Sequence, residues 1–521
     1  MISSHHRYGK FSQIHKNNER CHKRHRKSQA VMQLIQLHAR LLIWYLNMNN
    51  NNDTTHTGEH ARKILQDTDV VTRFPPSPTG DFHIGSARTA LFNWLFATAN
   101  DGEMVMRFED TDQSRSKKEY EDDILDGLEW LDINYFGPLF RQSERTDVYK
   151  EYLQTLIDNG SAYISDEAEG DEDEVIRFDN PHKTITFDDK IRGEIEFDTS
   201  DLGDFVIAKD MESPLYHLAV VVDDYEMGVS HIIRGDDHIS NTPRQILIYE
   251  ALDIPRPTYA HIPLILGPDK SKLSKRHGAT SINEFKERGY LSAAVINYLA
   301  LLGWNPGNDR ELFSREELVE TFSLKRVQKS AAVFDIEKLT WFNREHLRDL
   351  DDDTLIHDVR NRIPADIKKL PGYSLDMLED MLPIFRERLD TLKDVEHMAN
   401  NGDLEFYFET PGYYPEGLLW RDISPDTNGF EKTKDHLQTV IAKLEDIQAD
   451  EFTNEQVKDA IWEFASETGR GEVLWPMRYA LSGKDESPGP FRLASVLGKD
   501  ETLRRLHVAI EKIDDAINKS Q

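Results

Sequence analysis

Val70-Val71-Thr72-Arg73-Phe74-Pro75-Pro76-Ser77-Pro78-Thr79-Gly80, followed by Phe82-His83-Ile84-Gly85-Ser86, is the stretch that decides the fold. Its first five residues are β-branched or aromatic around one arginine and read as a strand, which the Pro/Gly-rich stretch after it cannot continue. From Ser86 to about Thr98 a helix is expected, because Leu91, Trp94 and Leu95 recur at helical spacing. Strand, rigid loop and helix is an arrangement that places phosphates at a helix N-terminus. Downstream, short β-branched runs alternate with amphipathic segments, the pattern of a parallel α/β sheet. Leu218-Ala219-Val220-Val221-Val222-Asp223-Asp224 and His231-Ile232-Ile233-Arg234 both read as buried strands ending at polar residues. Beyond about Trp341 strand signals become sparse. Segments 354–362, 376–392, 432–444, 454–468 and 501–517 carry helical periodicity, so the last third is expected to be all-α.

A chain of 521 residues implies more than one domain. With 38% hydrophobic and 30% charged residues, and no apolar run near the roughly 20 residues that cross a bilayer, no membrane span is expected. The net charge of −31 confines any nucleic-acid contact to a local basic surface on an acidic body. Cys21 is the only cysteine, which excludes an internal disulfide and any multi-cysteine metal site. Residues 1–47 are basic and polar with Glu19 as their one acid, so they stand apart from the acidic remainder of the chain. Two readings stay open: an organellar, for example mitochondrial, targeting segment, or a start assigned upstream of a true N-terminus at Met48. The second makes a cytoplasmic location the expectation. The run Asp166-Glu167-Ala168-Glu169-Gly170-Asp171-Glu172-Asp173-Glu174 should repel itself into an exposed loop.

Two constellations carry chemistry. At the helix start, Gly85 allows close backbone approach, Ser86 opens the helix, and N–H groups left free there would face a phosphate while His83 donates to it. Nearly two hundred residues later comes Gly267-Pro268-Asp269-Lys270-Ser271-Lys272-Leu273-Ser274-Lys275-Arg276-His277-Gly278, with four cations between Lys270 and Arg276. In so acidic a chain this loop suits neutralisation of a pyrophosphate, and Lys272 and Lys275 are the expected ligands.

The pair His83-Ile84-Gly85-Ser86 and Lys272-Leu273-Ser274-Lys275-Arg276 resembles the HIGH and KMSKS signatures of class I aminoacyl-tRNA synthetases. Arg73 to Gly80, Arg107-Phe108-Glu109-Asp110-Thr111-Asp112 and Ile233-Arg234-Gly235-Asp236-Asp237-His238 resemble the bacterial-type glutamyl-tRNA synthetases in particular. So do Trp475-Pro476-Met477-Arg478, Ser482-Gly483 and Ser487-Pro488-Gly489. The resemblance runs from about Val70 to the C-terminus. It implies a Rossmann-type catalytic domain over 69–265 with a shortened acceptor-stem insertion at 160–205. It also implies a signature-loop and stem-contact region over 266–345, an anticodon-binding domain over 346–521, and an extension, 1–68, outside the fold. Arg73, Arg234 and Tyr216 would hold the side-chain carboxylate of glutamate, and Ser77 and Glu109 its α-amino group. ATP with magnesium would be met by His83, Gly85, Ser86, Lys272 and Lys275, giving an adenylate and then glutamyl-tRNA. The implied partners are glutamate and tRNA(Glu), with tRNA(Gln) left open as a second substrate and a monomer as the default.

The chain departs from that pattern in three places. Relatives carry a zinc-binding cysteine cluster after the position of Tyr163. None is present here, so no structural zinc is expected. Pro75 replaces an alanine, and Asp236-Asp237 replaces Glu-Asp. Three rival readings remain. The first is a glutaminyl-tRNA synthetase, disfavoured by Ser77 and Thr79 where those enzymes tend to carry Glu and Asn. The second is a truncated relative that glutamylates a tRNA base, disfavoured by the helical last third. The third is a catalytically inactive tRNA-binding paralogue, disfavoured by the joint presence of His83, Lys272, Lys275, Arg73 and Arg234.

Overall fold

The computed structural model describes residues 70–166, 174–274, 280–421 and 423–520. The N-terminal extension, residues 167–173 of the acidic run, and Lys275 with the rest of 275–279 lie outside the described residues. Contacts divide the chain into two compact units, one running through Asn283 and including Ile296–Phe334, the other Glu284–Val295 with Asp335–Gln521.

In the first unit, β1 (Val71–Phe74), α1 (Ile84–Ala99), β2 (Glu103–Phe108), α2 (Lys118–Trp130) and β3 (Phe136–Arg141) alternate. The three strands pair in parallel in the order β1-β2-β3. After α3 (Thr146–Asp158) comes an insertion: β4 (Ala162–Ser165), β5 (Val175–Phe178), β6 (Thr184–Asp189), β7 (Gly193–Asp198) and β8 (Phe205–Ala208). The chain then returns through α4 (Tyr216–Glu226), β9 (His231–Gly235), α5 (Thr242–Ala251) and β10 (Thr258–Ile262), with β9 and β10 parallel. β9 runs beside β1 in the same sense: Ser230 N donates to Val71 O at 2.9 Å, and two residues on Arg73 Nη1 reaches Ile233 O at 3.4 Å. The carboxyl ends of β1, β2 and β9 therefore open on one crevice, the place where ligands bind in such sheets. β4, β5 and β8 form a separate antiparallel sheet, while β6 pairs with β7 and touches β10 at Asp189 and Tyr259.

Leu218–Asp224, which the apolar run suggested as a strand, lies in α4. All seven of these residues are buried. A helix enclosed on every side shows no 3.6-residue alternation, so an apolar run with three valines mimics a strand.

In the second unit the described residues from Ile336 to the C-terminus form helices only, around a core that includes Leu347, Phe385, Leu437, Val440 and Leu506. The helix expected over 376–392 is two, Leu375–Asp380 and Leu382–Arg388, since Pro383 lacks the N–H that a continuous helix needs and starts the second instead. The last helix begins at Pro490, earlier than its periodicity suggested, and breaks at Gly498, whose φ is 75°. Among the described residues no helix is long and apolar enough to cross a membrane.

Candidate active site

A cleft of about 1040 Å³ opens at the strand ends of the first unit. Its walls bring together Arg73, Ser77, Glu109, Tyr216 and Arg234 with His83, Gly85, Ser86 and Lys272, residues drawn from distant parts of the sequence.

At one end His83 is the N-cap of α1. Its Nδ1 accepts from the N–H of Gly85 at 3.1 Å and of Ser86 at 3.2 Å. Ile84 N donates to Thr280 O and Ala87 N to His83 O, so the free N–H groups expected at this helix start are occupied. What faces the cleft is the other ring nitrogen. With Nδ1 acting as acceptor, the neutral ring carries its proton on Nε2, 3.3 Å from Ser86 Oγ. The ring is exposed at the cleft wall but flanked by protein elsewhere. That partial burial, and then the charge of Lys272, lower its pKa and favour the neutral donor. Gly85 has a steric reason: a Cβ there would sit 3.1 Å from the His83 ring. Lys272 is exposed, 3.8 Å from Asp237, and long enough to follow a phosphate chain.

The other end is a buried ionic network. Asp224 of α4 accepts from Arg107 Nη1 at 2.6 Å and Arg73 Nε at 3.3 Å, and Arg107 Nη2 goes on to Glu109 at 3.0 Å. Asp223 takes Arg145 Nε at 2.9 Å, Gln142 Nε2 at 2.9 Å and the Tyr149 hydroxyl. Arg234 differs from these arginines in resting on neutral acceptors: its Nη2 donates to Thr242 Oγ1 at 2.8 Å and its Nε to His261 at 3.2 Å. Its Nη1 is buried without a hydrogen-bond partner among the described residues, as are Arg107 Nε and Arg145 Nη2. Four guanidinium groups, Arg73, Arg107, Arg145 and Arg234, gather with the carboxylates Asp223, Asp224 and Glu109, and a further buried carboxylate, Asp189, stands behind Arg234 across the His261 ring. A cation buried at the cleft wall with a donor left unmatched and no carboxylate in contact is costly unless a ligand anion meets it. Tyr216 lies at this wall with its hydroxyl 3.2 Å from His238 Nδ1. Ser77 is exposed at the mouth of the cleft.

Comparisons with known proteins identify the family. The family model of class I tRNA synthetases (E and Q), catalytic domain, matches residues 69–172 and 164–341, and an anticodon binding domain model matches 353–510. The chain belongs to the class I tRNA synthetases. A glutamate–tRNA ligase of Syntrophobacter fumaroxidans is 40% identical over 85% of this chain and 98% of its own length, and one of Desulfosudis oleivorans is 40% identical at the same coverage. The crystal structure of a glutamate tRNA ligase from Elizabethkingia meningosepticum in complex with its amino acid superposes with a TM-score of 0.72. It shares 29% identity and covers 85% of this chain and 99% of its own.

In this class I synthetase, sequence reasoning missed the residues behind the cleft wall: Arg107, Asp223, Asp224, His261 and Asp189. One signal was present, since two adjacent aspartates inside an apolar run have to meet buried cations. In the second unit, the separate motifs come together. Arg478 Nη2 donates to Asp485 O at 2.5 Å, its guanidinium lies 4.7 Å over the Trp475 ring, and Ser482 Oγ donates to Ser487 Oγ at 3.2 Å. Pro476 lies inside the helix Arg470–Ser482 and cannot donate to Glu472 O; His436 Nδ1 supplies that bond at 3.2 Å.

Proposed function

We propose that this chain is a glutamate–tRNA ligase, which joins L-glutamate to ATP as glutamyl-adenylate and passes the glutamyl group to the 3′-terminal adenosine of tRNA(Glu). The observation that carries the reading is Arg234, a buried cation at the cleft wall that rests on neutral acceptors and keeps Nη1 unmatched. A side-chain carboxylate fits it. Glutamine would turn an amide NH₂ toward donors, and a site built of donors rejects such an isostere strongly.

On this reading Arg73 and Arg234, with Tyr216, hold the side-chain carboxylate, and Glu109 and Ser77 take the α-amino group. The α-carboxylate then attacks the α-phosphate of ATP, and pyrophosphate leaves. No protein nucleophile is needed, so catalysis is positioning plus charge stabilisation. His83 donates Nε2–H to a phosphate oxygen, Gly85 and Ser86 seat that ring, and Lys272 neutralises the leaving group. Lys275, outside the described residues, is assigned the same task from its place in the sequence. Magnesium would arrive on the nucleotide, held by phosphate oxygens and water rather than by protein ligands, and would add to charge neutralisation. The donor-lined phosphate end suits an ion that arrives on the nucleotide. The acceptor end of the tRNA is assigned to the insertion that holds β4–β8, and the anticodon to the helical unit.

The test is attachment of labelled glutamate and glutamine to tRNA(Glu) and tRNA(Gln), with ATP and magnesium, by the wild type, Lys272→Ala and Lys275→Ala. Glutamate charging that both substitutions reduce supports the reading, and the tRNA(Gln) arm decides whether one or two tRNAs are substrates. Glutamine charging would reverse the specificity, and no charging would leave the inactive paralogue.

A further inference from the structure

Arg73 and Arg234 line the same cleft but are anchored by opposite means. Arg73 rests on a carboxylate, that of Asp224. Arg234 rests on neutral acceptors: His261 Nε2 at 3.2 Å from its Nε, and Thr242 Oγ1 at 2.8 Å and the His238 carbonyl at 3.5 Å from its Nη2. Behind His261, on the far side of the ring, Nδ1 lies 2.6 Å from Asp189 Oδ2. Asp189 and His261 are both closed to solvent.

Guanidinium nitrogens only donate, so His261 Nε2 has to accept. Nδ1 then carries the ring's proton and donates it to Asp189. The same logic lets a buried aspartate hold a hydrolase's histidine in one tautomer. Burial lowers the His261 pKa, opposed by Asp189 and reinforced by Arg234, in keeping with a neutral ring. The imidazole thus delivers an acceptor to Arg234 while keeping the Asp189 carboxylate one ring away. A carboxylate in direct contact would fix the guanidinium equally well but would neutralise the charge that the substrate must meet.

Asp189 is itself held in place. It ends β6, where it pairs with Tyr259 of β10. Its Oδ1 accepts from the backbone N–H of Ile191 at 3.0 Å and of Arg192 at 2.8 Å, and Oδ2 from His261 N at 3.0 Å. The relay therefore begins in the insertion and ends on Arg234.

The geometry points to Asp189 and His261 as specificity-positioning residues: a carboxylate–imidazole relay, rooted in the insertion, that holds Arg234 in place as an uncompensated cation for the substrate's side-chain carboxylate. This rests on the assignment of Arg234 to that carboxylate. In Asp189→Asn one oxygen must serve both the turn and the ring. When it stays with the turn, the amide NH₂ faces Nδ1, the ring proton moves to Nε2, and a donor confronts Arg234 Nε–H.

The experiment measures KM for glutamate and for ATP in tRNA(Glu) charging by full-length wild type, Asp189→Asn, His261→Gln, the double variant and Arg234→Lys. Gln at 261 places an amide oxygen where Nε2 stood and needs no aspartate to orient a tautomer. Asp189→Asn should raise the glutamate KM about tenfold or more with ATP KM little changed. His261→Gln should stay close to wild type, and the double variant should match it. A long-range ¹⁵N spectrum of histidine-labelled protein should show a neutral Nδ1–H ring whose signal is absent in His261→Gln. The proposal is overturned by equal rises in both KM values, by a double variant as impaired as Asp189→Asn, or by an Nε2–H ring in the wild type. Arg234→Lys separates the two readings: an unchanged glutamate KM there would refute the Arg234 assignment itself, while the spectrum still reports on the relay.

Discussion

Asp224 lies 2.6 Å from Arg107 Nη1, and neither side chain reaches solvent. Burial alone would raise the Asp224 pKa, but Arg107 and then Arg73 overcome it, so the net shift is downward. A carboxylate with a depressed folded pKa contributes stability that is fully present above the unfolded aspartate value and lost as pH falls through the lower folded one. Asp224→Asn keeps the shape and removes the charge between two buried arginines. We expect a loss of about 3–5 kcal/mol at neutral pH, as for a broken buried pair. Urea unfolding at pH 7 checks this, and a change under about 1 kcal/mol would mean that the arginines find other partners.

Glu109 shows the opposite balance. Burial raises its pKa above the ordinary glutamate value, with Arg107 opposing. A raised acid binds its proton more tightly when folded, so it favours folding at low pH and loses that advantage as pH rises through the folded pKa. Glu109→Gln is therefore expected to be at least as stable as the wild type at neutral pH while binding glutamate poorly. In the wild type the glutamate KM should rise as pH falls through the Glu109 pKa, because a neutral carboxyl cannot pair with an ammonium. A pH profile of kcat/KM for both proteins tests this; an acid limb that persists in the variant would assign it to another group.

His83 does two jobs with two nitrogens, and substitution can separate them. Asn is a strong N-cap residue, so His83→Asn should keep α1 stable yet lose the Nε2 donor, lowering kcat by about 10²–10³. His83→Ala should lose the donor and also about 0.5–2 kcal/mol of stability. Thermal unfolding beside charging rates distinguishes the two, and equal stabilities would show that the cap contributes little.

The bond from His436 to Glu472 O exists because residue 476 is proline. His436→Phe should destabilise by about 0.5–1.5 kcal/mol, the net worth of one hydrogen bond to the carbonyl of a half-buried residue. In a Pro476→Ala background, where the alanine N–H can reach Glu472 O, the same substitution should cost clearly less. A double-mutant cycle from urea midpoints measures the difference. Additive effects would show that the proline and the histidine are unrelated.

The sequence disclosed most readily what is local or carries a motif. β1 and α1 were legible because a β-branched run, a Pro/Gly loop and an i, i+3, i+4 pattern each have one good explanation. The cleft residues were legible through the motifs that hold them. α4 was not, since a helix buried all round has no polar face to set a period. His261 was invisible for a related reason: one histidine in a β-strand says nothing until the fold brings Asp189 and Arg234 to its two sides. Nor could the occupied N–H groups of α1 be foreseen, because whether a histidine caps its helix or faces a ligand depends on a side-chain rotation.

The neutral anchoring of Arg234 behind the cleft has a consequence for the life of the protein in a cell. Each folded molecule without ligand keeps in Arg234 a buried cation with no carboxylate in contact, and on the proposed reading a bound glutamate supplies one. Substrate that binds only the native state draws the unfolding equilibrium toward that state. The supply of free glutamate would then help set how often the chain opens and how long it survives a protease, so that starvation for the amino acid would shorten the lifetime of the protein as well as slow its reaction.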